Sequence, residues 1–114
     1  MPSRYAHDLR LSRSGRELRT FGSQGQQRIA LLALLLAERE AIGTVRAARP
    51  LVLLDDVMSE LDADRRRLLV DRLEGGGQSV LTTTDLAHVP GAEGHGVVRV
   101  GVADGAIVQE ALAA

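Results

Sequence analysis

The sequence contains no cysteine and no tryptophan, and it has one tyrosine and one phenylalanine. All 14 of its cationic residues are arginine, so lysine is absent as well. The lack of cysteine excludes disulfides, thiolate zinc sites and cysteine nucleophiles, and it fits a reducing compartment. The lack of lysine excludes the phosphate-binding loop G-x-x-x-x-G-K-[ST] and Schiff-base chemistry from this stretch of chain. The scarcity of aromatic side chains argues against a base-stacking platform for single-stranded nucleic acid.

Long hydrophobic runs and a strong net charge are also missing. The longest apolar run, residues 29–37, has nine residues, whereas a membrane-spanning helix needs about 20. The formal charge of −1 does not by itself favour a nucleic-acid or membrane partner. The 114 residues, 45% of them hydrophobic, suit one globular domain or a piece of a larger one. We expect a soluble, cytoplasmic protein with no membrane partner.

The first part of the chain predicts a hairpin and then a helix. Residues 1–20 include two short alternating stretches around a Ser14-Gly15 turn, which favours a β-hairpin. Residues 21–42 begin with a segment rich in glycine and hydroxyl groups and continue, from residue 26 to about residue 41, with strong helix formers. Because apolar residues surround nearly the whole helix, we expect it to be buried on most sides.

The rest of the chain predicts a strand, a helix, a second strand and a second hairpin. Within residues 50–62, the apolar run 51–54 is typical of a parallel strand that is buried on both faces. Asp62 is a good N-cap for a helix that reaches about residue 73, and four leucines are expected along one side of it. Those leucines are residues 61, 68, 69 and 73, and the remaining predicted elements within 63–114 are a strand at 79–82 and a hairpin formed by 97–102 and 106–109.

The order of these elements predicts the fold class. A strand, a helix and a strand with apolar strand cores indicate an α/β protein. We expect a mixed, mostly parallel sheet with flanking helices and a β-hairpin at each end, forming a single partial domain over residues 1–114.

Two acidic residues directly follow the first apolar strand. Asp55 and Asp56 stand where α/β sheets bind ligands, beyond the carboxyl ends of the strands. One carboxylate at this place can hold Mg²⁺ beside a nucleotide phosphate, and the other can orient or deprotonate a water molecule. The alternative is that the strand simply ends in a turn, where aspartate is common.

A second candidate site is the start of the first long helix. Ser23 and Gly25 lie there, glycine allows a close backbone approach, and the free N–H groups of a helix N-terminus attract anions. The alternative is an ordinary N-cap formed by Ser23. Ser59 and Asp62 form a third candidate, which can equally be the capped start of the next helix.

These candidates follow one another in an order that resembles the C-terminal half of an ABC-type P-loop ATPase head. Two segments closely resemble the RecF family of bacterial recombination-repair ATPases: Phe21-Gly22-Ser23-Gln24-Gly25-Gln26-Gln27-Arg28 and Leu53-Leu54-Asp55-Asp56-Val57-Met58-Ser59-Glu60-Leu61-Asp62. His7-Asp8-Leu9, Thr82-Thr83-Thr84-Asp85 and the final hairpin fit the same family, so the resemblance extends over residues 7–108. The Walker A half of such a head is absent.

The resemblance implies a role for each matching residue. Ser23, Gly25 and Gln26 would form the signature motif, which faces the γ-phosphate of ATP bound to a second protomer. The other roles fall on Asp55 as the Walker B magnesium ligand, Asp56 at the position of the catalytic base, Ser59 and Asp62 in the D-loop at the dimer interface, and Thr84 in the switch region.

The resemblance also implies a function. The intact protein would use ATP and Mg²⁺, dimerise on ATP, bind DNA near single/double-strand junctions, and act with RecO and RecR to load RecA in recombination and the SOS response. We expect slow hydrolysis, because Asp56 is shorter than the glutamate that most relatives of ABC type carry. Thr84 replaces the usual switch histidine, and Ala6 stands beside His7 where the family usually has arginine.

Without a Walker A half, this chain alone is expected to be inactive. Two other functions remain open from the residues: the C-terminal lobe of another SMC-like ABC ATPase, and a non-catalytic interaction module. In an SMC-like protein a long coiled coil should precede the signature motif, whereas residues 7–19 alternate and turn instead.

Overall fold

The computed structural model describes residues 9–112, and the side chains of residues 9–108. His7 and Asp8, which carry part of the family resemblance, and Ala6, which departs from it, lie outside this range. The chain divides into two compact units, Met1–Pro50 and Leu51–Ala114, which are described separately below. Within the described range, no helix is both long enough and apolar enough to cross a membrane.

The first unit opens with the predicted hairpin. Strands β1 (Ser12–Arg13) and β2 (Arg16–Glu17) pair antiparallel. Ser14 and Gly15 between them have φ angles of 52° and 76°. Positive φ at both central residues is typical of the two-residue hairpin turn whose twist matches that of the paired strands. The predicted Ser14-Gly15 turn is therefore confirmed.

Two helices follow, α1 (Leu18–Phe21) and α2 (Gln24–Arg46). Helix α2 has 23 residues and runs past the predicted end near residue 41, until Ala47 adopts a left-handed conformation. The expected burial of α2 is wrong: Arg39 is its only buried residue, and Leu31 is 59% exposed. The reason is size, because a short hairpin and a four-residue helix cannot cover a helix of this length.

The second unit is built on a parallel strand pair. Strands β3 (Val52–Asp55) and β4 (Ser79–Thr82) pair in parallel, with Leu53 opposite Val80 and Asp55 opposite Thr82. A 3₁₀ turn (Met58–Glu60) and helix α3 (Ala63–Glu74) connect them. The buried apolar residues are Val52, Leu54, Met58, Leu61, Leu69, Leu73 and Ala92.

Strand β3 is buried on one face only. Val52 and Leu54 are each 5% exposed, whereas Leu53 between them is 68% exposed. The expectation of a strand buried on both faces is therefore wrong. An apolar run cannot distinguish a strand that is covered on both faces from one that keeps an apolar face open, because residues 51–54 are all hydrophobic in either case.

Helix α3 follows the prediction closely. Asp62 is its N-cap, and Leu61, Leu69 and Leu73 are buried. Leu68 was expected on the same side but is 62% exposed. One residue step turns a helix by about 100°, so Leu68 cannot share a narrow buried face with Leu69.

The chain ends in a second hairpin. Strands β5 (Val98–Ala103) and β6 (Ala106–Leu112) pair antiparallel around Asp104 and Gly105, whose φ angles are 51° and 74°. The described residues thus form three separate two-stranded sheets. Helix and strand are mixed, which is compatible with the predicted α/β class. Of the expected mostly parallel sheet, the described residues contain one parallel pair, β3 and β4, which are joined through α3. The pairs β1–β2 and β5–β6 are antiparallel, because a two-residue turn between strands forces them to run in opposite directions.

Candidate functional site

The predicted acidic pair lies at the carboxyl end of the parallel strands. Asp55 is the last residue of β3 and is exposed, and its cross-strand partner Thr82 is the last residue of β4. The Thr82 hydroxyl donates a short hydrogen bond to Asp55 Oδ1. Because this edge is where ligands bind in α/β sheets, the Asp55 carboxylate is presented in the position that the sequence predicted.

Asp56 is held in an unusual backbone conformation. Its φ of 47° lies in the left-handed region, which aspartate tolerates better than most residues. The Asp56 N–H donates to Thr82 O at 3.2 Å and to Thr82 Oγ1 at 3.0 Å. The Ser59 hydroxyl donates to Asp56 O at 3.1 Å. These bonds join the end of β3, the start of the 3₁₀ turn and the end of β4 into one cluster.

The Asp56 carboxylate has an unmet hydrogen bond. Its Oδ1 is buried and has no hydrogen-bond partner among the described residues. A buried oxygen left without a donor costs about 1–3 kcal/mol, so a water molecule or a ligand at this atom would be stabilising.

These residues fit a hydrated magnesium ion. Asp55 offers an exposed carboxylate and Asp56 a buried acceptor next to it. Among residues 9–112 no cluster of three or more histidine, aspartate or glutamate side chains could hold a metal. An ion bound by Asp55 would therefore take its other ligands from water and phosphate oxygens, which is the coordination that Mg²⁺ prefers.

Ser23, Gly25 and Gln26 lie at the start of α2, in the first unit. The Ser23 hydroxyl accepts from Gln26 N–H at 3.1 Å, and Gln26 Oε1 accepts from Ser23 N–H at 3.0 Å. This reciprocal pair is a capping box, so the N-cap alternative for Ser23 is present in the structure. Ser23 is exposed and uses its oxygen as an acceptor, which leaves its hydroxyl proton able to donate.

The two glycines around Ser23 have different reasons to be glycine. A Cβ on Gly22 would lie 2.6 Å from the backbone oxygen of Leu18, so packing within the chain requires glycine there. A Cβ on Gly25 would meet only Ser23 Oγ, at an ordinary 3.9 Å. No contact with residues 9–50 therefore requires glycine at residue 25.

Gln27 is a site residue that the sequence reasoning missed. Its side-chain amide donates to Leu18 O at 3.0 Å, to Gly22 O at 3.2 Å and, at 3.3 Å, to Arg19 O. These bonds fasten α1 and the glycine-containing loop to α2. Gln27 is the second of two adjacent glutamines at the start of the helix, and helix propensity alone does not predict these contacts.

Three known proteins that are similar to this chain carry the same name. The chain is 51% identical over 81 residues to the DNA replication and repair protein RecF of Heliobacterium modesticaldum, covering 71% of this chain and 22% of that protein. It is 45% identical over 82 residues to RecF of Enterococcus faecalis, and 54% identical over 70 residues to RecF of Synechocystis, covering 72% and 61% of this chain and 22% and 18% of those proteins. The chain belongs to the RecF family. The predicted family is thus confirmed, and the match covers about a fifth of each of these relatives. No family model and no solved structure matches the chain.

The structure brings some of the predicted site residues of this RecF-family chain together and leaves others apart. Asp55, Asp56 and Ser59 form one hydrogen-bonded cluster with Thr82. Asp62 is outside that cluster: it caps α3, and the hydrogen bond from Arg65 N–H together with the Arg65 guanidinium lowers its pKa.

Thr84, the predicted switch residue of this RecF-family chain, is exposed and lies outside the acidic cluster. Its neighbours form a local turn, in which the Thr83 hydroxyl donates to Asp85 O at 2.9 Å. Asp85 in turn accepts from Ala87 N–H and lies 3.7 Å from His88 Nε2. The role of Thr84 stays a prediction.

Proposed function

We propose that this chain supplies the signature, Walker B and D-loop elements of a RecF-type ATPase that acts in DNA replication and repair. The observation that supports the proposal best is the pair Asp55 and Asp56 at the carboxyl edge of β3 and β4, with a buried oxygen that lacks a donor. The relatives are named as DNA replication and repair proteins, which points the same way.

In this proposal the acidic cluster acts on nucleotide bound by its own head. Asp55 would hold a hydrated magnesium ion, which would supply positive charge beside the phosphates of ATP. Asp56 accepts a hydrogen bond from the attacking water through its buried oxygen. Ser59 holds the Asp56 carbonyl, and Asp62 stands at the dimer interface.

The signature residues act on nucleotide bound by a second protomer. The Ser23 hydroxyl would donate a hydrogen bond to the γ-phosphate at the mouth of α2, and the capping bonds with Gln26 hold Ser23 in place for it. Gly25 allows the phosphate to approach the backbone, which agrees with the open space around it. Binding of ATP would thereby join two protomers, and hydrolysis would release them.

The whole protein would use this dimerisation on DNA. We propose that it binds near single/double-strand junctions with RecO and RecR and promotes RecA loading, with ATP binding as the clamp. Thr84 would report the state of the nucleotide.

The chain alone is predicted to be inactive. Asp55 needs a Walker A loop from its own head, and no G-x-x-x-x-G-K-[ST] sequence is present in these residues. Equilibrium dialysis of the 114-residue chain should show no micromolar affinity for ATP, and a phosphate-release assay should show no hydrolysis. Micromolar binding would contradict this prediction.

The decisive experiment separates capping from nucleotide contact at Ser23. Ser23→Asp keeps a good N-cap acceptor, so α2 should keep its stability, but its negative charge would repel a γ-phosphate. In the full-length protein we expect this variant and Asp55→Ala to lose ATP-dependent dimerisation or hydrolysis by about tenfold or more. Gln78→Asp, before β4, and Asp71→Ala are exposed controls for the two changes of charge and should behave as wild type.

A non-catalytic interaction module is the second candidate, because Ser23 and Asp62 both serve as helix caps in the structure. For that function, Ser23→Asp and Asp55→Ala would leave nucleotide-dependent behaviour unchanged. A different SMC-like ATPase is disfavoured by the tight hairpin Ser12–Glu17 that precedes α2.

A further inference from the structure

Thr82 makes the contacts that connect the two acidic residues. Its single hydroxyl proton is donated to Asp55 Oδ1, and its oxygen accepts from Asp56 N–H at 3.0 Å. One side chain on β4 therefore orients the carboxylate of Asp55 and the backbone of Asp56, both on the neighbouring strand end.

The Asp56 backbone needs this support. A non-glycine residue in the left-handed region persists where its surroundings hold it there. Among the described residues, the hydrogen bonds of Asp56 N–H run to the carbonyl and the hydroxyl of Thr82. Loss of the hydroxyl would leave the longer bond of 3.2 Å to Thr82 O and would free both carboxylates to change direction.

We propose that Thr82 is a positioning residue for the acidic pair: its hydroxyl aims Asp55 at a hydrated divalent cation and holds the Asp56 backbone in the left-handed conformation that sets the direction of its carboxylate. This inference rests on the proposed function. Thr82 lies on β4, outside the Walker B segment, so the proposal adds a residue of the neighbouring strand to those that prepare the metal site.

The test compares Thr82→Val with Thr82→Ser in the full-length protein. Valine keeps the shape and removes the hydroxyl, whereas serine keeps the hydroxyl. We expect Thr82→Val to raise the Mg²⁺ concentration for half-maximal hydrolysis and to lower kcat, each by about tenfold, with a smaller change in KM for ATP at saturating Mg²⁺. Thr82→Ser should restore both, and Thr83→Val, which removes a hydroxyl from the next turn, should leave both unchanged.

A second readout does not depend on turnover. Electron paramagnetic resonance of Mn²⁺ in the presence of a non-hydrolysable ATP analogue reports metal affinity directly. Thr82→Val should weaken Mn²⁺ binding, and Thr82→Ser should not. Equal behaviour of the valine and serine variants in both assays would overturn the proposal, and so would an equal loss in Thr83→Val.

The variants Asp55→Ala and Thr82→Val distinguish a failure of the proposed function from a failure of the role proposed for Thr82. If Asp55→Ala retains hydrolysis and Mn²⁺ binding, the proposed function itself is wrong. If Asp55→Ala loses both while Thr82→Val matches wild type, only the role of Thr82 is wrong.

A separate observation in the first unit concerns charge. Arg13 and Arg16 are direct cross-strand partners in the β1–β2 hairpin, both exposed, and neither forms an ion pair with another described residue. Like charges directly opposite each other destabilise a strand pair. Arg16 also lies 5.7 Å from the ring centroid of Phe21, which is 66% exposed, and Arg19 is exposed on α1.

The geometry points to this hairpin as a contact surface for the phosphate backbone of DNA, a polyanion that would relieve the repulsion between Arg13 and Arg16. Two guanidinium groups on one face of a tight turn can each meet a phosphate, since arginine and phosphate match in charge and shape. The inference rests on the DNA-binding part of the proposed function.

The test uses two double variants of equal charge in the full-length protein. Arg13→Gln with Arg16→Gln should weaken DNA binding about tenfold and reduce the slope of log affinity against log salt by about two. The same variant should melt at an equal or higher temperature, because the repulsion is removed. Arg46→Gln with Arg72→Gln, both exposed, is the control and should bind DNA as wild type.

Three outcomes would overturn this second proposal. The hairpin variant could bind DNA no more weakly than the control variant. It could lose stability together with affinity, which would indicate a structural role. It could lose affinity for ATP while DNA binding at saturating ATP stays intact, which would indicate that the arginines contribute to ATP binding and not to DNA binding.

Discussion

At the scale of single residues, Ser23 and Asp62 each have a structural role that is compatible with the role proposed for them at a site. Both are helix caps, a role that needs only an acceptor oxygen. In the proposed function, Ser23 would also face a nucleotide and Asp62 a dimer interface. Capping fixes where these side chains lie, so it prepares the surface that a partner would meet.

Gly25 offers a prediction at this scale. Because a Cβ there fits without a clash, Gly25→Ala should stabilise α2 by up to about 1 kcal/mol, since alanine is the better helix former. The same methyl group would keep a phosphate away from the backbone, so ATP-dependent dimerisation of the full-length protein should weaken. Thermal unfolding and analytical ultracentrifugation would measure the two effects.

Gly22→Ala is the matched control for that experiment. Its Cβ would clash with the Leu18 carbonyl, so the variant should lose stability. If Gly25→Ala were also destabilised, the glycine would have a packing role that the structure does not contain, and the prediction would be wrong.

At the scale of elements, both long helices begin with a capped first turn. Helix α3 begins at Asp62, whose carboxylate accepts from Arg65 N–H at 2.9 Å and pairs with the Arg65 guanidinium at 2.8 Å. Helix α2 begins with the capping box of Ser23 and Gln26, and Gln27 ties it to α1. Local side-chain bonds thus define where each helix starts.

The Asp62 cap predicts a pH dependence of stability. The Arg65 N–H bond and guanidinium hold the pKa of Asp62 below its ordinary 3.8. A carboxyl group whose pKa is lowered by folding contributes stability above its unfolded pKa and loses it as the pH falls through the folded pKa. The contribution should therefore be complete at neutral pH and decline below about pH 4.

The variant Asp62→Asn checks this dependence. Asparagine keeps an acceptor for Arg65 N–H but does not titrate, so the difference in melting temperature between wild type and variant should shrink as the pH falls below about 4. Circular dichroism melts across that range would measure it. A difference that stays constant with pH would contradict the prediction.

At the scale of the whole molecule, apolar surface remains open on the parallel strand pair. Leu51, Leu53 and Val80 are 53%, 68% and 48% exposed, and Leu53 lies directly opposite Val80. The relatives are about five times longer than the matched segment, so other parts of a RecF-type protein are available to cover such a face. Exposed apolar strands with free edges promote association between copies.

Self-association of the chain is the prediction at this scale. Sedimentation velocity of the isolated 114 residues should show concentration-dependent oligomers. Leu53→Thr with Val80→Thr should shift the distribution towards monomer, because it removes apolar surface without touching the buried Val52 and Leu54. Val45→Thr, at an 86% exposed position of α2, is the control. A monomeric wild-type chain at high concentration would contradict the prediction.

The local features of this chain were determined by its sequence. The Ser14-Gly15 and Asp104-Gly105 turns, the Asp62 cap and strand Ser79–Thr82 were predictable, because each depends on the conformational preferences of a few adjacent residues. The family was predictable as well, since two long motifs carry it.

Tertiary structure alone decided which faces are covered and which side chains meet. The exposure of Leu53 and the length of α2 depend on how much chain is available to pack against them, a quantity that hydrophobic patterns do not contain. The same is true of the site: Thr82 reaches Asp55 and Asp56 because β3 and β4 pair in one register, and the partners of two strands that are separated by 23 residues cannot be read from either strand alone.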